Sequence, residues 1–404
     1  MLAALLKICR CLCCVRRVYT KKHPSSESEE TMLRSKKSLG TRRKHTGEYT
    51  VEYNSRSHFD IIFSLRGSIW PNVIKYCLLN VMLTLFCNYV VKPTMEDKFK
   101  MTGKGHALLA IVVSFLVVTR VNLALAQYKE ARGNLSKMLT STRDIVSATA
   151  IHTKDDQTQS AKEWRNLIAY YSCLLLRLMM AASNYKSQGI PPWSLPELHG
   201  EIKEELLKHN QITGLSSKFA HMQRTEREEV YRVPITMCHY LRMALTDNAK
   251  YLQKDCSGLP IGRFNGIVDN LIHAYTAQKK IFTTPPPFPM VQMSRTVTFV
   301  WVFLLPLVLM EDPSSVLAHS FVVFFVTFAF CGLELVAIEV DDPFGNDDND
   351  FDNTGLALSV YEDVYNIINI IDGEEWAYKV RFNMKDGDGD VFFRPTEVTP
   401  LIGV

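Results

Sequence analysis

The stretch AHSFVVFFVTFAFCGLELVAIEV, residues 318–340, followed at once by DDPFGNDDNDFD, residues 341–352, decides the fold of this chain. The first segment is long enough to cross a hydrocarbon layer, which takes roughly 20 mostly apolar residues. The second segment carries six carboxylates in twelve residues. These carboxylates repel one another unless a cation offsets their charge, and Ca²⁺ prefers such oxygen ligands. The two segments together predict an integral membrane protein with a cation site at the membrane surface.

Three further stretches of the 404-residue chain also have the composition of membrane spans. With the stretch above, the expected spans are residues 69–91, 105–126, 289–310 and 318–340. Residues 164–182 are apolar as well, but Arg177 and several polar side chains dilute them, so we interpret this segment as a buried helix. The prediction is an all-α membrane protein with four spans, whose residues 127–288 form cytosolic helices.

The charges are distributed unevenly along the chain. Residues 1–45 carry twelve Lys and Arg against three acids, whereas residues 341–378 carry eleven acids and neither Lys nor Arg. Cytosolic segments of membrane proteins are enriched in Lys and Arg, which places the N-terminal arm in the cytosol. We expect residues 1–47 to be a disordered basic arm, residues 48–378 to be the folded domain and residues 379–404 to be a tail.

Three charged residues interrupt the predicted spans near their cytosolic ends. They lie about six residues, or roughly 9 Å, from those ends at 1.5 Å per residue. Long side chains can reach the membrane surface from that depth, so we expect Lys75 and Glu334 to do so. For Arg120 two interpretations remain open, namely that it reaches the surface in this way or that it faces an aqueous cavity.

The N-terminal arm contains a cluster of cysteines among basic residues. The cluster lacks the paired spacing of a zinc site. Reversible lipidation beside a basic patch is one interpretation, and an unmodified reduced tail or a cleaved targeting peptide are the others. The candidate lipidation sites are Cys9, Cys11, Cys13 and Cys14.

A second acidic run, Asp386–Asp390, has the spacing of the first half of an EF-hand loop. Val391 stands where the loop needs glycine, and Pro395 and the short remaining chain leave no room for an exit helix. This run is therefore a weak candidate for a second calcium site.

The acidic segment also carries a resemblance to a known family. The run Pro343–Phe351, PFGNDDNDF, resembles the signature of the bestrophins, which are pentameric anion channels. Three further motifs resemble the same family and follow in the family's order. They are Arg66–Trp70 before the first span, Arg120–Asn122 with Tyr128–Arg132 at the end of the second, and Thr284–Phe288 before the third.

The resemblance implies a calcium clasp built around the acidic segment. Asp347 and Asp350 would supply side-chain ligands, and Glu339 and Asp342 would supply backbone carbonyls. A further carbonyl would come from the residues near Val51. Calcium is accordingly the expected cofactor.

The resemblance also implies a pore neck of three residues, one helical turn apart on the second span. Counting back from Arg120 places Ile111, Phe115 and Thr119 there, on one helix face. The family's cytosolic aperture would fall on Pro286. An alternative register would move the neck to Lys104, Leu108 and Val112, and we reject it because a lysine ring is a poor hydrophobic gate.

The function implied is a calcium-gated channel for chloride and other small monovalent anions such as bicarbonate, assembled as a homopentamer in membrane lipid. Two alternatives remain. Residues 346–350 also fit the N-D-x-x-D pattern of magnesium-dependent membrane prenyltransferases, and a non-conducting calcium-sensing scaffold has the same features. We find no catalytic motif and no nucleic-acid module, so we expect neither an enzyme nor a nucleic-acid partner. We expect the plasma membrane, with a plastid membrane or another endomembrane as the alternative.

Overall fold

The structure is a computed structural model, and it describes most of the chain beyond the N-terminal arm. Every regular element among the residues that it describes is helical. These residues are 58–65, 67–94, 103–198, 200–211, 226–247, 258–310, 314–345, 347 and 349–383. The predictions on the N-terminal arm, on the four clustered cysteines, on Val51 and on Asp386–Asp390 concern residues outside these ranges.

Eleven α-helices, numbered here in chain order, make up the described part. They are α1 His58–Phe63, α2 Trp70–Phe86, α3 Gly103–His152, α4 Gln159–Gln188, α5 Gly200–Gln211, α6 Glu226–Asp247, α7 Gly258–Thr283, α8 Phe288–Leu309, α9 Val316–Val340, α10 Asn353–Asp372 and α11 Glu374–Asn383. A π-helical stretch, Cys87–Val91, and a last turn, Lys92–Thr94, extend α2, and Pro192–Ser194 form a single 3₁₀ turn.

Five of these helices are long and apolar enough to cross a membrane, namely α2 with its extension, α3, α4, α8 and α9. The fourth helix differs from the others in its surroundings. In α4, 78% of the most apolar stretch is buried by other parts of the chain, against 22–39% in the other four. The apolar surface of α4 is thus covered by protein, as the sequence led us to expect for residues 164–182.

Polar contacts between α2, α8 and α9 hold the apolar helices together. Asn80 is fully buried, and its amide donates to the Val302 carbonyl at 3.1 Å and to the Thr327 hydroxyl at 2.7 Å. Because hydrocarbon offers no hydrogen-bond partners, a buried amide of this kind fixes which helices meet and in which register.

A reciprocal pair joins α3 to α8. The Trp301 indole donates to the His106 carbonyl at 3.0 Å, the His106 Nε2 lies 3.0 Å from the Trp301 carbonyl, and the two rings stack with centroids 4.8 Å apart. Val113, Val117 and Val302 pack in the same interface. The first part of α3 is thereby held among the apolar helices.

The second half of α3 enters a large helical body that contains most of the core. Leu135, Met138 and Ile145 of α3 are buried there with residues of α4, α6, α7, α10 and α11. The second helix of this body, α4, has clear end signals. The Thr158 hydroxyl accepts from the Ala161 backbone N–H, and Gly189 follows the last turn with φ +68°, a conformation that favours glycine.

A buried ion pair fixes α10 against α4. Arg165 and Asp372 both have fully buried side chains, and the guanidinium donates to both carboxylate oxygens at 2.8 and 2.5 Å. Its remaining nitrogen donates to the Thr153 and Asp156 carbonyls. Each nitrogen of the guanidinium therefore has a hydrogen-bond partner, as a buried charge requires.

We expect Asp372→Asn to lower the stability of the helical body by about 3–5 kcal/mol, because Arg165 would keep its buried charge without a counter-ion. The matched control is Asp363→Asn, which breaks the half-exposed pair of Asp363 with Arg143. Exposed pairs contribute about 0–1 kcal/mol, so this control should unfold almost as the wild type does. Denaturant unfolding in detergent, followed by tryptophan fluorescence, measures both. Equal losses in the two variants would contradict the assigned role.

Candidate ion site and pore-lining helix

Residues 341–352, called the acidic loop below, connect α9 to α10. Two phenylalanines hold this loop against the helical body. Phe344 is buried, and its ring lies 5.7 Å from that of Phe351 and 6.2 Å from that of Phe282 in α7. Phe351 in turn lies 4.8 Å from the ring of Tyr128 in α3. The acidic loop is thus positioned by burial of its apolar side chains.

The two aspartates expected to bind calcium lie together within the loop. The Asp347 backbone N–H donates to Asp350 Oδ2 at 2.8 Å, and the Asp350 N–H donates to the Asp347 carbonyl at 3.1 Å. The Asp350 side chain is buried, while Asp347 is exposed. One carboxylate therefore lies inside the loop and the other at its surface.

The electrostatic environment of Asp350 disfavours a negative charge. Burial raises the pKa of its carboxyl from the ordinary value to about 7, and the hydrogen bond from Asp347 opposes this rise only in part. The nearby charges of Asp342 and Glu339 raise the pKa further. A bound cation would offset this repulsion, and carboxylate oxygens are suitable ligands for Ca²⁺. The residues present thus fit a calcium ion in charge and donor chemistry.

The other expected ligands lie around the same loop but engage protein partners through their side chains. The Asp342 carboxylate accepts from Lys186 at 2.9 Å, and the Glu339 carboxylate accepts from the Asn349 amide at 3.3 Å. Within the ranges that the structure describes, no three His, Cys, Asp or Glu side chains form a metal-binding group. Backbone carbonyls of Glu339 and Asp342 would therefore have to complete a site.

The loop also contacts the segment that precedes the first span. The Asn349 amide donates to the Gly67 carbonyl at 3.0 Å. Gly67 has φ +65°, so this turn favours glycine. The contact joins residues 282 positions apart in the chain. Sequence reasoning missed it, although Asn349 and Gly67 lie in the two motifs that it had singled out.

Arg120 does not face an aqueous cavity within the described part of the chain, so that interpretation of it is wrong. Its side chain is 2% exposed and forms a bidentate ion pair with Asp341, the first residue of the acidic loop. Glu334 is buried as well and accepts from Arg295 of α8 at 2.7 Å, so its expected position at the surface is also wrong. Lys75 is exposed. Sequence analysis found these charges but could not pair them.

The first half of the third helix presents one broad exposed face. Ile111 and Phe115 lie near the centre of that face and are 70% and 71% exposed, while Thr119 on the same face is half-buried. The opposite face is buried against other helices. The rejected register falls on the same face, with Lys104, Leu108 and Val112 all exposed. Exposure alone therefore does not choose between the two registers.

Pro286 lies in the short connection between α7 and α8. It is half-buried and is flanked by two exposed prolines. The contacts of Pro286 within this chain indicate no further role for it.

Comparison with known proteins decides the family. A family model described as "Bacterial/Fungal Bestrophin protein" matches residues 50–364. The chain belongs to the bestrophin family. The matched segment contains α2 to α9, the acidic loop and the first half of α10, so it includes every described residue of the candidate site.

Relatives of this bestrophin include proteins named for anion channels. A voltage-dependent anion channel-forming protein of Nostoc sp. is 24% identical over 304 residues, which are 72% of this chain and 85% of the relative. The voltage-dependent anion channel-forming protein YneE of Escherichia coli is 19% identical and covers 72% of this chain and 84% of its own.

The fold of this bestrophin also matches solved structures. A substituted form of a bacterial bestrophin homologue from Klebsiella pneumoniae superposes with a TM-score of 0.59 at 16% identity, over 75% of this chain and 99% of that protein. This likeness concerns the fold. The family match spans the N-D-x-x-D segment on which the prenyltransferase alternative depended, so that alternative is withdrawn: the chain is not an enzyme.

We expect Gly345→Ala to disturb the acidic loop of this bestrophin. A Cβ at Gly345 would lie 2.4 Å from Asp350 Oδ2, so the carboxylate would have to leave the Asp347 N–H. Losing a buried hydrogen bond costs about 1–3 kcal/mol. Gly266→Ala in α7 is the control, because its added Cβ would have no atom within 4 Å apart from its chain neighbours and the backbone of its own helix. Denaturant unfolding should show a loss only at Gly345, and an unchanged Gly345→Ala protein would contradict the described loop.

Proposed function

We propose that this bestrophin is a calcium-gated channel that conducts chloride and other small monovalent anions, including bicarbonate, passively through a central pore. The observation that carries the proposal is the exposed face of α3. Isoleucine and phenylalanine there are left uncovered by the chain's own helices, as they would be if they lined a pore between copies. The names of the relatives from Nostoc and Escherichia support an anion as the permeant ion.

The pore requires several copies of the chain. The four spans would be α2 with its extension, α3, α8 and α9, because α4 is covered by protein. Four helices of one subunit rarely enclose a water-filled path, so we propose a homo-oligomer around an axis lined by α3. The family resemblance favours five copies.

The neck of the pore would be formed by Ile111, Phe115 and Thr119. Rings of apolar side chains can close a pore by excluding water. Thr119 is polar, so the inner end of the neck would be easier to wet than the outer end. Pro286 would form a second constriction on the cytosolic side. Helix N-termini directed at the pore would favour anions through their partial positive charge.

The gating site would be the acidic loop. Asp347 and Asp350 would hold calcium with their carboxylates, and Glu339, Asp342 and a residue near Val51 would contribute backbone carbonyls. The raised pKa of Asp350 supports this assignment, because burial and then the charges of Asp347, Asp342 and Glu339 disfavour its ionised form, and a divalent cation would offset both. When bound, calcium would supply positive charge that draws the loop together and favours the open state of the neck.

The basic N-terminal arm and its cysteines are the basis for proposing a membrane of residence. A basic N-terminal arm adjoins anionic lipid most readily at the cytosolic face of the plasma membrane, which we propose as the location. Lipidation at Cys9, Cys11, Cys13 and Cys14 would add a second anchor there. A plastid membrane or another endomembrane is the alternative.

The double substitution Asp347→Ala and Asp350→Ala tests the gating site. We expect calcium-evoked anion current to be lost, because the two carboxylates proposed as ligands are removed while the pore helix is unchanged. Recordings from purified protein in planar bilayers, with asymmetric chloride and varied calcium, measure this.

Asp363→Ala is the control for these recordings, since it removes a carboxylate from α10, where Asp363 pairs with Arg143. Calcium-evoked current that survives the double substitution would contradict the gating site. A wild-type protein that binds calcium but passes no current would instead favour the scaffold alternative.

Phe115→Ala tests the neck. Removing the exposed ring should widen and wet the narrowest apolar ring, so we expect a severalfold larger current without calcium. Phe325→Ala on α9 is the matched control, because Phe325 is 59% exposed but lies on a span not proposed to line the pore. Equal currents from the two variants would contradict the assignment of the neck.

A further inference from the structure

A bidentate ion pair connects the pore-lining helix to the acidic loop. Arg120 lies in α3, one residue after Thr119, and its guanidinium donates to both oxygens of Asp341, with Nη1 3.0 Å from Oδ1. Asp341 ends α9 and begins the acidic loop. The guanidinium is 2% exposed and the carboxylate 19%. Because both groups are largely removed from water, their attraction is weakly screened.

Arg120 has a second acidic neighbour in the same place. The charge of Glu334 acts on the Arg120 guanidinium, although no hydrogen bond joins the two side chains. Arg120 Nε and Glu334 Oε2 are both buried, and neither has a hydrogen-bond partner among the residues described. The other Glu334 oxygen accepts from Arg295 of α8 at 2.7 Å. The two charged groups are thus close enough to influence each other, and each has one buried polar atom without a partner.

Two arrangements of the same charges are therefore available to Arg120. In the arrangement of this structure, it engages the acidic loop through Asp341. In the other, it would turn its unpartnered Nε toward Glu334 of α9 and release the loop. A buried side chain with two discrete partners is the kind of element whose balance a distant site can shift.

We propose that the Arg120–Asp341 pair transmits cation binding in the acidic loop to the pore-lining face of α3. This inference rests on the proposed function and names the regulation of that same site. Asp341 directly precedes Asp342, whose carbonyl is a proposed ligand, so a cation held there adds positive charge beside the carboxylate that holds Arg120. Like charges repel, and the cation weakens the hold of the loop on α3. Arg120 and Asp341 are positioning residues in this scheme, since neither contacts the ion.

The test separates calcium binding from its effect on current. Asp341→Asn keeps the shape of the side chain and removes the charge that holds Arg120. We expect the ratio of anion current at saturating calcium to current without calcium to fall about tenfold, within the roughly 5- to 150-fold range of allosteric coupling. Calcium affinity, measured by isothermal titration calorimetry on the same full-length protein, should stay near the wild-type value. If the pair only stabilised the fold, its removal would change the calcium affinity and the current ratio together.

An ion pair elsewhere on α3 provides a matched control. Asp363→Asn removes a carboxylate of α10 that pairs with Arg143 of α3, outside the acidic loop. It should leave both the calcium affinity and the current ratio at saturating calcium unchanged. Arg120→Lys is the second test variant. It preserves the buried charge, and hence folding, but cannot make the bidentate contact, so the ratio should fall in the same direction.

Three results would overturn the inference. An unchanged current ratio in both Asp341→Asn and Arg120→Lys, with calcium-evoked current present in the wild type, overturns it alone and leaves the proposed function standing. A fall in the ratio for Asp363→Asn equal to that for Asp341→Asn also overturns it, because any ion pair of α3 would then have the same effect. A wild-type protein that carries no calcium-dependent anion current overturns both the proposed gating and this inference.

Discussion

The electrostatic balance of the acidic loop is the constraint on which the rest of this structure depends. Six carboxylates occupy twelve residues, and such a density of like charge is unfavourable beside an apolar membrane helix. Among the described residues, Arg120 and Lys186 offset two of the charges at Asp341 and Asp342. Asp350 has no such cation beside it among these residues, and burial, followed by the charges of neighbouring acids, raises the pKa of its carboxyl. The loop remains in place because Phe344 and Phe351 are packed into the helical body.

The long third helix, α3, connects the acidic loop and the helical body to the apolar helices. It has 50 residues, or about 75 Å at 1.5 Å per residue. Its first part packs with the apolar helices, and its second part forms a side of the helical body. Among the residues that the structure describes, the acidic loop contacts it through Asp341 on Arg120 and through Phe351 on Tyr128. A change in the loop therefore acts on a stiff element that crosses from the helical body into the apolar bundle.

The fold and the site were predictable from the sequence to different degrees. The apolar spans were evident because hydrocarbon imposes a length and a composition that few other environments require. The covered state of α4 was also foreseen, from the polar residues that dilute it. The acidic loop was predictable because its carboxylates follow one another within a single short segment of the sequence. The observed helix α3 runs well beyond the expected span of residues 105–126, since the same helix continues into the helical body as a buried element.

The sequence by itself determined the class of this protein, the family motifs and the residues of the acidic loop, because each depends on composition or on spacing within one segment. Only the tertiary structure decided that Arg120 pairs with Asp341, that Glu334 pairs with Arg295 and that Asn349 contacts Gly67. These contacts join residues between 39 and 282 positions apart. Which of several buried charges meet is set by how the helices pack against one another, and a single sequence does not record that geometry.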